Sequence, residues 1–127
     1  MQKQISDAEL EIMRIIWEDT APATLFSYIM DTLALRGKPC QKNTLIVLLS
    51  RLTEKGFLRA RKIGRRNEYI PVISAEEYQT AQTKQFVDKL YAGSAAGLVM
   101  NLIAGDLLTR EEYEELKALL EKGGEKP

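Results

Sequence analysis

Between Arg36 and Arg66 the chain carries ten Lys or Arg residues and a single carboxylate, Glu54. The whole 127-residue chain is nevertheless neutral, with 18 basic and 18 acidic side chains. A cationic run set in a neutral chain is suited to binding a polyanion; the chemistry open to it is phosphate neutralisation, not bond making. The basic residues are also ordered. An apolar-striped segment, QKNTLIVLLSRLTEKG, leads into an alternating stretch, FLRARK, then a Gly-centred tip, IGRR, then a second stretch, NEYIPVI. A helix followed by a basic hairpin is a shape that fits a DNA major groove and clamps the flanking phosphates.

Other chemistries are poorly served. There is one cysteine, Cys40, and no histidine. A structural zinc needs about four N or S ligands, so no metal site is expected. A lone Cys40 forms no intramolecular disulfide, and without His the usual triads and acid–base pairs are missing. Carboxylate pairs such as Glu111 and Glu114 fall on an expected exposed helix face with no pocket signature. No enzyme activity and no cofactor are therefore expected. No apolar run approaches the ~18 residues that span a bilayer, and the N-terminus lacks the apolar core of a secretory signal; a cytoplasmic location is the expectation.

Three helix starts share one signature. Ser6 with Glu9, Ser74 with Glu77, and Thr109 with Glu112 form capping boxes, each flanked by a hydrophobic staple pair: Ile5 and Leu10, Ile73 and Tyr78, Leu108 and Tyr113. Helices are expected at about 6–19, 74–92 and 109–122. The first offers Leu10, Met13, Ile16 and Trp17 for burial. A second helix after Pro22 runs to about Arg36 with Leu25, Ile29 and Leu33 on one face, and is broken by Gly37 and Pro39. A third, from about Gln41 to Lys55, turns Leu45, Leu48, Leu49 and Leu52 inward. Gly56 is placed as its left-handed cap with Phe57 packing back on Leu52. Strands at 57–62 and 67–73 are bridged by Ile63-Gly64-Arg65-Arg66, and Pro71 suggests an edge strand.

The expected fold is mainly α with a small β-hairpin wing: a winged helix-turn-helix DNA-binding domain at 1–73, followed by a helical dimerisation region at 74–127. Charge divides similarly, with 12 basic and 8 acidic residues over 1–72 and 6 basic and 10 acidic over 73–127. In the second region Phe86, Leu90 and Tyr91, then Leu98, Val99, Leu102 and Ile103, exceed what a short helical extension buries alone. Such stripes mark a subunit interface.

At NTLIVLLSRLTEKGFL followed by GRRNEYIPVIS, the sequence resembles the penicillinase-repressor (BlaI/MecI) family. The likeness begins at ISDAELEIMRIIWE and continues through AEEYQTAQTKQFVDKLYAGSAAGLVMNLI and TREEYEELKALLE, from Ile5 to Glu121. It implies a dimeric transcriptional repressor that binds palindromic operator DNA. In one branch of the family a membrane sensor protease pathway relieves repression by cutting an Asn-Phe bond in the dimerisation region. The matching pair here is Asn101-Leu102, which makes it the candidate proteolytic site, with Leu in place of Phe; the alternative is that Asn101 is an ordinary polar helix residue. A copper-responsive branch carries paired Cys-x-Cys motifs near the C-terminus, and this chain has no cysteine beyond Cys40, so metal-triggered release is not expected. Cys40 stands where the family commonly has Trp and is read as a small buried thiol, with a redox sensor the other reading.

By helical phase and by similarity to the family's contact positions, Lys42, Asn43, Ile46 and Val47 face the DNA bases. Asn suits an adenine edge, and Ile and Val suit thymine methyl groups. The family often has polar side chains at one or both of the positions of Ile46 and Val47. The other reading has this pair packed against the wing. Arg51, Lys62, Arg65 and Arg66 are candidate phosphate contacts, with Thr24 a candidate hydroxyl contact near the start of helix two. Arg65 or Arg66 entering the minor groove is an alternative; Lys55 and Arg59 are weaker candidates. The competing function is a winged-helix protein-interaction module. The one-sided charge at 62–66 speaks against it, since docking to a protein requires no such excess.

Overall fold

The computed structural model describes residues 4–123; residues 1–3 and 124–127, at the outer ends of the two expected domains, lie outside it. The described elements run α1 (Asp7–Glu18), β1 (Thr24–Leu25), α2 (Phe26–Leu35), α3 (Lys42–Glu54), β2 (Leu58–Ile63), β3 (Arg66–Pro71), α4 (Ala75–Leu90), α5 (Ala95–Ala104) and α6 (Arg110–Lys122). The chain divides into two compact units, Met1–Ala81 and Gln82–Pro127, so α4 begins in the first and ends in the second.

The first unit is built around one core. Ile12, Met13, Ile15 and Ile16 of α1 meet Ile29 and Leu33 of α2, Leu45, Leu49 and Leu52 of α3, and Phe57, Leu58 and Tyr69 of the sheet. Full burial of such side chains stabilises by roughly 1.5–3 kcal/mol each. All three expected capping boxes form. In α1 the Ser6 Oγ accepts from the Glu9 N–H at 3.1 Å and a Glu9 carboxylate oxygen accepts from the Ser6 N–H at 2.8 Å. Ser74 with Glu77 and Thr109 with Glu112 repeat the exchange at 3.0 Å in each direction. Ser94 caps α5 by accepting from the Gly97 N–H. By contrast, the residues before α2 and α3, Leu25 and Gln41, place no side chain on their helix starts.

The sheet departs from the hairpin read in the sequence. It has three antiparallel strands in the order β1-β3-β2, so β3 is central rather than at an edge. The extra strand is only Thr24 and Leu25, paired with Tyr69 and Glu68. Two residues are too short for an alternation to be visible, and Leu25, expected on the second helix, belongs here instead. Pro71 is tolerated because it ends β3, opposite Leu58 and beyond the reach of β1. The β2–β3 turn is also tighter than expected. Ile63 and Arg66 pair with each other, leaving Gly64 and Arg65 as a two-residue turn. Gly64 has φ 59°, the left-handed backbone that such turns require.

The junction of α3 with β2 follows the expected cap. The Phe57 N–H reaches the Leu52 carbonyl at 2.9 Å and the Gly56 N–H the Thr53 carbonyl at 3.1 Å, with Gly56 at φ 84°. That pair of bonds is a Schellman motif, and Phe57 and Leu52 are both sealed in the core. Trp17 is half-buried and packs against the core: its indole N–H donates to the Ile73 carbonyl at 2.8 Å, and its ring lies 5.8 Å from that of Tyr78. Tyr78 in turn meets Phe57 edge-on at 5.6 Å, and its burial raises the hydroxyl pKa.

In the second unit Val87 is buried, and no described residue of α5 or α6 is. Phe86 and Tyr91 stack edge-on at 5.9 Å.

Candidate nucleic-acid interface

Helix α3 has two chemically different sides. Leu45, Leu49 and Leu52 face the core, and Lys42, Asn43, Ile46, Val47, Ser50, Arg51 and Glu54 face outward. Ile46 and Val47 remain 46% and 47% exposed, so neither is packed away beneath the wing. A helix presenting two branched apolar side chains beside Lys and Asn is stable only because its inner face is well buried; the outer pair contributes little to folding.

The wing carries its charge on both faces. Successive strand residues point to opposite sides, so Lys62, opposite Asn67, shares the side of core-facing Leu58 and Tyr69, while Arg59, Arg61 and Arg66 lie on the other. Arg61 is occupied: its guanidinium pairs with Glu68 across the strands at 2.9 Å. Arg65 and Arg66 make no ion pair among the described residues, and both are exposed.

The fold brings the two basic parts together. Lys42 at the start of α3, and Arg65, Arg66 and Asn67 at the wing tip, line one open groove of about 390 Å³. Leu25, Phe26 and Ser27, at the start of α2, complete it. Phe26, Ser27 and Asn67 carried no mark in the sequence; they belong to this surface because β1 carries the chain alongside β3 just before α2 begins. Asn43, Ile46, Val47, Arg51 and Lys62 are exposed but do not line this groove.

Thr24 does not reach this surface. It is 1% exposed, and its hydroxyl donates to the Asp19 carboxylate at 2.8 Å. Its pairing with Tyr69 in the sheet turns the side chain inward, which a helical reading of the segment missed. Lys55 is committed as well. Its ammonium donates to both carboxylate oxygens of Glu9, at 2.9 and 3.1 Å. Burial pushes the Glu9 carboxyl upward, but the Ser6 N–H and hydroxyl and the Lys55 ammonium outweigh it, and the net pKa lies below the ordinary 4.5. Glu11 is also held below its ordinary value, by its bond to Lys38 and despite partial desolvation. Cys40 is half-buried beside Leu33 and Leu48.

The expected interface residues of the second unit sit on α4, α5 and the turn between them. Phe86, Leu90 and Ile103 are exposed, and Tyr91, Leu98, Val99 and Leu102 are half-buried. Met100, Leu107, Tyr113, Leu119 and Leu120 add further exposed apolar surface. Asn101 is exposed within α5, where its carbonyl accepts from the Gly105 N–H at 2.8 Å. Among the described residues there is no grouping of Cys, Asp and Glu able to hold a metal ion, and no helix long and apolar enough to cross a membrane.

A model of the penicillinase repressor family matches residues 5–122. The chain belongs to that family. It is 34% identical to the penicillinase repressor of Bacillus licheniformis over 119 residues, 94% of this chain and 91% of that one. It is 29% identical to the methicillin resistance regulatory protein MecI of Staphylococcus aureus, covering 94% of each. The solution structure of the DNA-binding domain of the repressor BlaI matches with a TM-score of 0.52 and 35% identity, covering 61% of this chain and 94% of that domain. The monomeric form of Bacillus licheniformis BlaI in complex with the blaP half-operator matches with a TM-score of 0.50, again at 35% identity and with the same coverage. As a member of that family the chain belongs with transcriptional regulators and not with enzymes, and its winged fold is that of the family's DNA-binding domain.

Proposed function

We propose that this member of the penicillinase repressor family binds palindromic operator DNA as a homodimer. The division of labour is between reading and gripping. Lys42, Asn43, Ile46 and Val47 enter the major groove, where Asn43 pairs with an adenine edge and the two branched side chains touch thymine methyls. Arg51, Lys62, Arg65 and Arg66 neutralise backbone phosphates. The observation that carries this reading is the groove shared by Lys42 and the unpaired wing-tip arginines, since it places a helix start and a cationic tip on one surface. A relative's half-operator complex supports it.

One winged domain reads only a few base pairs, and two held in fixed symmetry read a palindrome. The apolar side chains of Phe86, Leu90, Tyr91, Leu98, Val99, Leu102 and Ile103 supply the pairing surface. A unit with so little internal burial gains stability by packing against a second copy. Tethering also raises the effective concentration of the second domain once the first has docked. Scission at Asn101-Leu102, followed by loss of the remaining chain, would weaken DNA binding without touching a base contact. That bond lies within α5, and proteases take extended substrates, so local unwinding precedes any cleavage.

Fluorescence anisotropy with a random duplex, at low and moderate salt, tests the reading. Salt-sensitive binding is expected, tightening further on a duplex enriched by selection, and sedimentation should give the mass of two chains. No binding at low salt would leave the protein-interaction module as the better account.

A further inference from the structure

We propose that Glu9 is a positioning residue for DNA reading, acting through its grip on Lys55 at the foot of the recognition helix. The inference rests on the assignment of α3 to the major groove. Glu9 is the one charged side chain among the described residues to be fully buried, at 2% exposure. A lone N-terminal cap needs no such burial: Glu77 performs the same capping bond on α4 while exposed to solvent. The difference at Glu9 is a second partner. Lys55, distant in sequence, bonds both of its carboxylate oxygens, and Lys55 is the residue that ends α3.

The position matters because the wing begins there. Gly56 and Phe57 turn the chain directly from α3 into β2, with no slack between reading helix and wing. The rest of the α3 packing is apolar, through Leu45, Leu49 and Leu52. Apolar contacts are non-directional and tolerate small slides or rotations of a helix. The Glu9–Lys55 pair adds a charge-assisted tie between the start of α1 and the end of α3, and it opposes any slide of α3 that would draw the two apart. The helix dipoles favour the same arrangement, with the carboxylate at the start of α1 and the ammonium at the end of α3. Glu9 thus sets how α3, with the wing joined to it, sits against α1, and so how Lys42, Asn43, Ile46 and Val47 are presented, without meeting the DNA itself.

The test compares Glu9→Gln, Lys55→Met and the double variant in the full-length protein. Glutamine still accepts the Ser6 N–H, so the α1 cap survives while the charge pair is lost. Affinity is measured for a duplex enriched from a random library by the unmodified protein and for random duplex, well below each melting temperature. Glu9→Gln is expected to weaken the enriched duplex about tenfold, the size of one lost base contact, with random duplex unchanged. The double variant buries no unpaired charge and should regain stability, yet its preference for the enriched duplex should stay low. A purely structural role makes the opposite forecast, with preference intact in every folded variant, and that result overturns the inference. Asn43→Ala provides the separate control. If it leaves both affinities unaltered, the assignment of α3 as the reader fails; if it weakens the enriched duplex and Glu9→Gln does not, only the role of Glu9 fails.

Discussion

Replacing Arg65 and Arg66 together with alanine isolates the wing from the rest of the interface. Both side chains are exposed and free of ion pairs among the described residues, so the loss should change folding stability by no more than about 0.5 kcal/mol. DNA binding should respond differently. Each phosphate neutralised contributes about −0.9 to the slope of log affinity against log salt, so two arginines per chain account for about 1.8 of slope per wing. Between 50 and 200 mM salt, a fourfold change, that difference alone amounts to roughly a tenfold gap in salt sensitivity. Anisotropy titrations on random duplex at four or five salt concentrations measure it, because the phosphate contribution does not depend on sequence. Arg61→Ala is the matched control. It removes the same kind of charge from the same hairpin, but its guanidinium is already bound to Glu68 at 2.9 Å. The control should leave the slope nearly unchanged. An unaltered slope in the double variant, or an equal fall in Arg61→Ala, refutes the assignment of the wing tip to phosphate.

Two further outcomes concern the core and its caps. The carboxyl of Glu9 is held below its ordinary 4.5 in the folded chain, so its contribution to stability is complete above that pH and is lost as pH falls through the folded value; urea midpoints between pH 3 and 6 should decline less steeply in Glu9→Gln, and an identical decline would show that the pairing adds nothing to acid stability. Gly56→Ala should cost about 1–2 kcal/mol through backbone strain at φ 84°, since nothing lies within 4 Å of the added methyl; a melting temperature equal to that of the unmodified chain would contradict it.

The helices are legible in the sequence where the signals are local. A capping box states within four residues where a helix begins, and a left-handed glycine followed by Phe57 states where α3 ends. The inner face of α3 was equally legible, because its leucines recur at helical spacing. The misreadings lie where long-range pairing decides. Read locally, the Thr24 segment is a helix approach with a solvent-facing hydroxyl; its place in the sheet is set by Tyr69, far along the chain. Pro71 looked like an edge residue because Pro lacks a donor, and nothing nearby announced the short third strand that makes β3 central. Lys55 stands out in the sequence only by its charge, and the carboxylate that claims it is separated by most of the winged unit. The groove residues Phe26, Ser27 and Asn67 have no distinguishing chemistry of their own and gain meaning only from being brought beside Lys42.

Four of the helix starts are closed by a serine or threonine hydroxyl, and the two at residues 25 and 41 are not. Substituting Ser or Asp at a bare helix start is an ordinary route to thermal hardening, by about 1 kcal/mol per site. At these two positions the gain would be made beside the cationic groove, at helix starts that no side chain now caps. A hardier version of this chain is therefore better sought elsewhere on its surface, where an added cap leaves the walls of the cationic groove as they are.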